Sequence, residues 1–317
     1  MRGLSKEKRP GPLETQRSRS PGSVRSPRPS DHRQAKQGSA PDALLSEAEL
    51  DEFLTRPRRV LVDFIRNVPS PLLVLGAGGK MGPTLCVLAK RAAEAARKPL
   101  EVIAVSRFSD SHARRWLEER GVGTLSADLL QRRDVERLPD AANLIYLVGL
   151  KFGTQENPSL TWAVNTVVPA YVLERFPKAR VAALSTGNVY PLASARSHGA
   201  GEATPLTPLG EYPNAAVARE RVFEYFSRRN GTPVALLRLN YAVELRYGVL
   251  ADIARNVFTR KPVDLGNGYF NCIWQGDANE MILRALDLAR SPATVWNLTS
   301  PRSYSVRKIA LSFGALL

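Results

Sequence analysis

Cysteine, histidine and long apolar runs are all scarce in this chain, and each scarcity removes a class of function. Only Cys86 and Cys272 occur, far apart and outside any C-x-x-C pattern or Cys/His cluster, so neither a disulfide framework nor a thiolate metal site is on offer. Both read as reduced packing residues of a cytosolic protein. His32, His112 and His198 are scattered through polar stretches without helical spacing, and no metal is expected. No apolar run approaches the roughly 20 residues of a membrane span, and the N-terminus lacks the hydrophobic stretch of a secretory signal. A soluble, cytoplasmic protein is the expectation.

Positive charge, by contrast, is abundant, but the net +15 is unevenly spread. Residues 1–40 hold ten Lys and Arg against Glu7, Glu14 and Asp31, in a stretch rich in Ser, Pro and Gly. Such a segment buries too little apolar surface to offset chain entropy, so 1–41 reads as a disordered basic tail. Its prolines break any amphipathic import helix, and no aromatic platform or recognition motif accompanies the basic residues. Specific nucleic-acid binding is therefore not expected.

The ordered chain divides into three parts by pattern. Residues 42–70 read as a helical arm: Ser46-Glu47-Ala48-Glu49 forms a capping box ahead of Leu50, Phe53 and Leu54, and a second helix after Pro57 carries Val60, Leu61, Phe64 and Ile65. From 71 to 240, near-continuous apolar strands at 72–75, 101–105, 143–148, 181–185 and 233–239 alternate with helical stretches. Buried strands alternating with helices imply an α/β fold, a doubly wound parallel sheet of Rossmann type. From 241 to 317 the pattern loosens into a helix at 250–260, an extended segment at 269–274, a helix at 277–289 and a strand at 295–297, read as a smaller substrate lobe. The chain stops at Leu317 within an apolar helical pattern that has no glycine cap, which reads as a shortened C-terminus.

The first strand runs into Gly76-Ala77-Gly78-Gly79-Lys80-Met81-Gly82, and a helix follows. The first glycine permits the tight turn, the middle ones let backbone N–H groups approach a pyrophosphate, and the last lets the helix pack on the strand with its N-terminus facing the anion. That context, strand then glycine turn then helix, makes the motif a nicotinamide dinucleotide site rather than a structural turn.

The spacing of Gly76, Gly79 and Gly82 resembles that of the extended short-chain dehydrogenase/reductases, the NAD-dependent epimerase/dehydratase group. Further segments from 72 to about 311 support the resemblance. Asp128-Leu129 resembles the adenine contact after the third strand, Leu147-Val148-Gly149 the turn after the fourth, and Asn165-Thr166-Val167 the Asn-Val segment of the next helix. Ser185-Thr186-Gly187-Asn188-Val189-Tyr190 is similar to the signature carrying the catalytic hydroxyl, Thr186, and Arg238-Leu239-Asn240 lies where the family leads into its substrate lobe. The resemblance implies hydride transfer on a sugar nucleotide or similar polar small molecule. It assigns the cofactor to Gly76, Gly78, Gly79, Lys80, Met81, Gly82, Ser106, Arg107, Asp128, Leu129, Val148, Gly149, Asn165 and Arg238.

One element departs from the family. Its Tyr-x-x-x-Lys pairs a proton-transferring phenol with an ammonium group that lowers the phenol's pKa, ordinarily about 10. Here the segment is Tyr212-Pro213-Asn214-Ala215-Ala216, with alanine at the lysine position. Lys151, just beyond the fourth strand, is the candidate substitute; Arg219 reads as too far along the helix. Two functions stay open: an atypical enzyme using Thr186, Tyr212 and Lys151, or a dinucleotide-binding redox sensor or scaffold without turnover. Ser106-Arg107 in place of an acidic residue after the second strand favours NADP over NAD, with NAD also admitted. The state of assembly, a homodimer included, is not legible.

Overall fold

In the computed structural model the described residues are 41, 43–151, 153–194, 197 and 199–317. Residues 1–40 of the basic tail lie outside them. The helical arm opens with α1 (Glu47–Leu54), whose N-cap Ser46 hydroxyl accepts from the Glu49 N–H at 3.2 Å. The Glu49 carboxylate reaches back to the Leu45 N–H at 2.8 Å, one residue before the cap itself. Leu50 and Leu54 are buried, and Phe53 packs its ring on Trp274. In α2 (Arg59–Ile65) Leu61 and Ile65 enter the core, whereas Val60 faces outward.

The body alternates strand and helix: β1 (Leu72–Leu75), α3 (Gly82–Ala95), β2 (Val102–Ser106), α4 (Ser111–Glu118), β3 (Gly123–Ser126), α5 (Arg132–Glu136) and β4 (Asn143–Tyr146). It continues with α6 (Pro158–Arg175), β5 (Arg180–Thr186), α7 (Glu211–Asn230) and β6 (Val234–Leu239). Next come β7 (Ala242–Val243), α8 (Val249–Phe258), β8 (Tyr269–Asn271), β9 (Ile273–Trp274), α9 (Gln275–Arg284), β10 (Thr294–Leu298), β11 (Ser303–Ser305) and α10 (Val306–Leu316).

Seven of these strands form one parallel sheet in the order β10-β6-β5-β4-β1-β2-β3. Both faces are covered. Leu72 and Val74 join one apolar cluster with α2, α3 and α9, while Leu73 and Leu75 join the other with residues of α6 and α7. This explains the uninterrupted apolar run of β1. Chain order reverses on either side of β1, between β2 and β4, which makes the β1/β4 carboxyl edge the topological switch point where open α/β sheets bind ligands.

Three assignments differ from the sequence reading. Strand β3 was not legible as an apolar run, because it is a four-residue edge strand whose residues are mostly exposed. Strand β10, read as part of the smaller lobe, pairs along its whole length with β6 and is the outermost strand of the central sheet. Helix α9 likewise packs on α3 and the body. What remains of the separate lobe is a small core of Val243, Ile253, Phe270, Cys272 and Val306, framed by α8, α10 and two short two-stranded sheets. No helix among the described residues is long and apolar enough to cross a membrane.

Candidate functional site

The glycine turn sits at the switch point. Gly76 takes φ +82°, and a Cβ there would lie 3.0 Å from both the Val148 side chain and the Val148 nitrogen, so this turn presses directly on the segment leaving β4. At Gly82 a Cβ would come within 2.2 Å of the Ala77 carbonyl oxygen, which is the close packing of α3 on the turn. At Gly78 it would lie 2.5 Å from the Ser106 hydroxyl at the end of β2, whereas at Gly79 the nearest atom would be 3.5 Å away. The turn is thus tight on its inner side and open at Gly79. Among the described residues the N–H groups of Gly78, Met81 and Gly82 have no protein acceptor, and α3 starts at Gly82 with no side-chain cap. Unsatisfied N–H groups at a helix N-terminus, beside a glycine with open space at its Cβ position, fit a pyrophosphate.

Of the other residues assigned to the cofactor, Ser106, Arg107, Asp128, Leu129, Val148 and Gly149 fall at or just after the ends of β2, β3 and β4, Asn165 lies on α6 and Arg238 on β6. Ser106 is half-buried and Arg107 exposed. Asp128 is held in a turn, its carboxylate accepting from the Leu130 N–H at 3.1 Å and its own N–H donating to Asp134, while Leu129 is buried behind it. Val148 and Gly149 follow β4. Asn165, on α6, is fully buried and donates from Nδ2 to the Thr161 carbonyl at 2.8 Å. Arg238, near the end of β6, is buried and its guanidinium engages the Glu220 carboxylate (2.7 Å), the Tyr190 hydroxyl (2.8 Å) and the Glu202 carbonyl (3.1 Å). Glu220 also meets the Ser185 hydroxyl, so Arg238 fixes α7 against β5 and β6.

Thr186, Tyr212 and Lys151 occupy neighbouring elements at the same edge. Thr186 ends β5, with its hydroxyl accepting from the Asn188 N–H at 3.2 Å. Tyr212 stands half-buried in the first turn of α7, a helix that packs on β5 and on the turn after Thr186. Lys151 is exposed on the segment after β4, its ammonium 5.8 Å from the Tyr241 ring centre. Ala216 is completely buried.

Two residues of this region were given no role in the sequence reading: Arg219, set aside as too far along the helix, and Tyr247, not singled out at all. Arg219 shares a helix face with Tyr212 and Ala216, since positions seven and three apart align on an α-helix, and a long side chain leans toward the helix N-terminus. Its Nη1 donates to the Asn165 carbonyl oxygen at 2.8 Å and to the Val148 carbonyl at 3.1 Å. A Cβ on Gly149 would fall 2.4 Å from that nitrogen. The spacing was visible in the sequence; the reach of the side chain was not. The second is Tyr247, in the segment after β7. Its hydroxyl donates to the Lys80 carbonyl at 3.1 Å and also meets Gln275, and the Lys80 ammonium lies 4.6 Å from its ring centre. Gln275 and Asn279 both donate to the Thr84 hydroxyl, so α9 and Tyr247 together brace the glycine turn and the first turn of α3. Burial and the Glu244 carboxylate push the Tyr247 phenol up, which keeps its hydroxyl protonated.

Cys86 and Cys272 are free and buried, and burial pushes both thiols up. Among the described residues no His, Cys, Asp and Glu side chains gather as a metal-ligand set.

A doubly wound parallel sheet with an open glycine turn at its switch point defines a dinucleotide-binding protein of Rossmann type. The chain belongs to the NAD dependent epimerase/dehydratase family, whose model matches residues 72–297. Similar solved structures include the UDP-glucose 4-epimerase of Thermotoga maritima with UDP-glucose, at 18% identity over 78% of this chain and 82% of that one, TM-score 0.65. The UDP-glucose 4-epimerase of Thermus thermophilus in complex with NAD shows 20% identity over 77% and 82%, TM-score 0.62. The dTDP-glucose 4,6-dehydratase of Bacillus anthracis in complex with NAD shows 13% identity over 78% and 81%, TM-score 0.65. No curated protein matches the chain significantly.

Proposed function

We propose that the protein is an NAD(P)-dependent epimerase, dehydratase or oxidoreductase that transfers hydride to or from a sugar nucleotide or similarly polar substrate. The observation that carries this reading is the open glycine turn at the β1/β4 edge, with Thr186 and Tyr212 on the adjoining elements of the same edge. When bound, the nicotinamide supplies the hydride chemistry. The N–H groups of Gly78, Met81 and Gly82 would hold the pyrophosphate; Ser106, Arg107, Asp128 and Leu129 would face the adenosine end; Val148, Gly149 and Asn165 would face the nicotinamide end. The Thr186 hydroxyl orients the substrate oxygen, and the Tyr212 hydroxyl gives it, or takes from it, a proton. The ligands held by the solved relatives support a sugar nucleotide as substrate.

Cofactor choice follows from the end of β2. The solved relatives hold NAD, so a nicotinamide dinucleotide is the supported class. We infer a preference for NADP within it, because Ser106 offers no carboxylate to a ribose diol and the exposed Arg107 guanidinium can pair with a 2′-phosphate. Calorimetry with both forms tests this: NAD binding as tightly as NADP overturns the preference.

A second reading, dinucleotide binding without turnover, is favoured by one feature. Ala216 is sealed in the core, so position 216 offers no ammonium group to Tyr212. In the enzyme reading Lys151 takes that place. The deciding experiment is a turnover screen with UDP-glucose and dTDP-glucose on the wild type, Tyr212→Phe and Lys151→Ala. The enzyme reading expects Tyr212→Phe to abolish turnover with cofactor binding kept, and Lys151→Ala to reduce it. Wild-type cofactor binding without any turnover supports the sensor.

A further inference from the structure

Among the described residues Arg219 is a buried cation without a counter-ion. Only 4% of it is exposed, and among the described residues it forms no ion pair with a carboxylate. Its neighbour Glu220 is fully engaged by Arg238. One guanidinium nitrogen serves two neutral oxygens, those of Asn165 and Val148, and the buried Nε–H has no acceptor among the described residues. The Tyr146 hydroxyl is also buried and unpaired, and the charge of Arg219 pulls its proton affinity down against the larger upward push of burial. Burying an uncompensated charge is costly, and folds that keep one use it at a functional site or pair it with a ligand.

The position indicates what the charge acts on. The guanidinium lies directly beneath Gly149, on the turn after β4, and it stems from the helix that carries Tyr212. In the function proposed above, this is the nicotinamide end of the cofactor site, and the inference rests on that reading. An oxidised nicotinamide ring carries a positive charge and a reduced ring carries none. A fixed cation in a low-dielectric pocket repels the first and leaves the second untouched. We propose that Arg219 sets the oxidation state the site prefers, holding the reduced dinucleotide more tightly than the oxidised one.

The test compares dissociation constants for oxidised and reduced NAD and NADP, by calorimetry and by dihydronicotinamide fluorescence, in the wild type, Arg219→Gln and Arg219→Lys. The wild type should bind the reduced form at least about 10-fold more tightly than the oxidised form. Arg219→Gln, which keeps an N–H donor for Val148 or Asn165 but no charge, should bring that ratio close to one, and Arg219→Lys should retain most of it. A purely structural role for Arg219 would weaken both oxidation states together and leave the ratio unchanged, which overturns the inference while the cofactor site stands. A wild type with equal affinity for the two forms overturns it without recourse to any variant. A wild type that binds neither form removes the cofactor reading and this inference with it.

Discussion

The Glu220–Arg238 pair gives a demanding test of how α7 is held. Both side chains are buried in the wall between α7, β5 and β6, with Arg238 donating to both Glu220 oxygens at 2.7–3.2 Å and the Ser185 hydroxyl also on that carboxylate. Replacing Glu220 with Gln preserves shape and removes the charge, leaving the Arg238 guanidinium buried against a neutral amide. Breaking one side of a buried, hydrogen-bonded ion pair costs about 3–5 kcal/mol. For a domain of this size, at roughly 2–4 °C per kcal/mol, the melting temperature should fall by on the order of 10 °C. The exposed pair Arg221–Glu224 on the same helix is the control, and Arg221→Ala should shift melting by no more than about 1 kcal/mol equivalent. The assay is thermal and urea unfolding followed by circular dichroism. A loss below about 1 kcal/mol in Glu220→Gln would refute the reasoning, since it would mean that the pair contributes no more than a surface contact.

Three further outcomes are expected. Gly82→Ala places a Cβ against the Ala77 backbone, not against a flexible side chain, so it should cost roughly 1–3 kcal/mol or more in unfolding and weaken cofactor binding. Tyr247→Phe removes the hydroxyl contacts to Lys80 and Gln275 while keeping the ring over the Lys80 ammonium; a loss of about 1–2 kcal/mol and a several-fold weaker dinucleotide affinity are expected, and unchanged affinity would show that the brace is dispensable. Removal of residues 1–40 should leave melting temperature and cofactor affinity unchanged, and a marked drop in either would make that segment part of the fold.

The strands with both faces buried were legible because their apolar runs are continuous, as in Leu72–Leu75, and the glycine turn because its residues are contiguous. What escaped the sequence has a common cause, dependence on partners distant in the chain. The Thr294–Leu298 strand has no feature of its own that says it pairs with Val234–Leu239. Gly123–Ser126 is too short and too exposed at the sheet edge to carry an apolar signal. Tyr247 reaches Lys80 across 167 positions, and Arg219 reaches Val148 across 71. Alanine at position 216 was plain, but the cation one turn further along gained meaning only from the direction in which its side chain runs.

The most direct test of the account is titration calorimetry of the wild type and Gly79→Val with NAD(H) and NADP(H). Gly79 is the one glycine of the 76–82 turn where an added Cβ would meet nothing closer than 3.5 Å, so the variant should fold and melt as the wild type does while its side chain fills the open cradle. The account predicts saturable 1:1 binding in the wild type and its loss in Gly79→Val at unchanged melting temperature. Undiminished binding by Gly79→Val, or no binding by the wild type to any of the four forms, would contradict it.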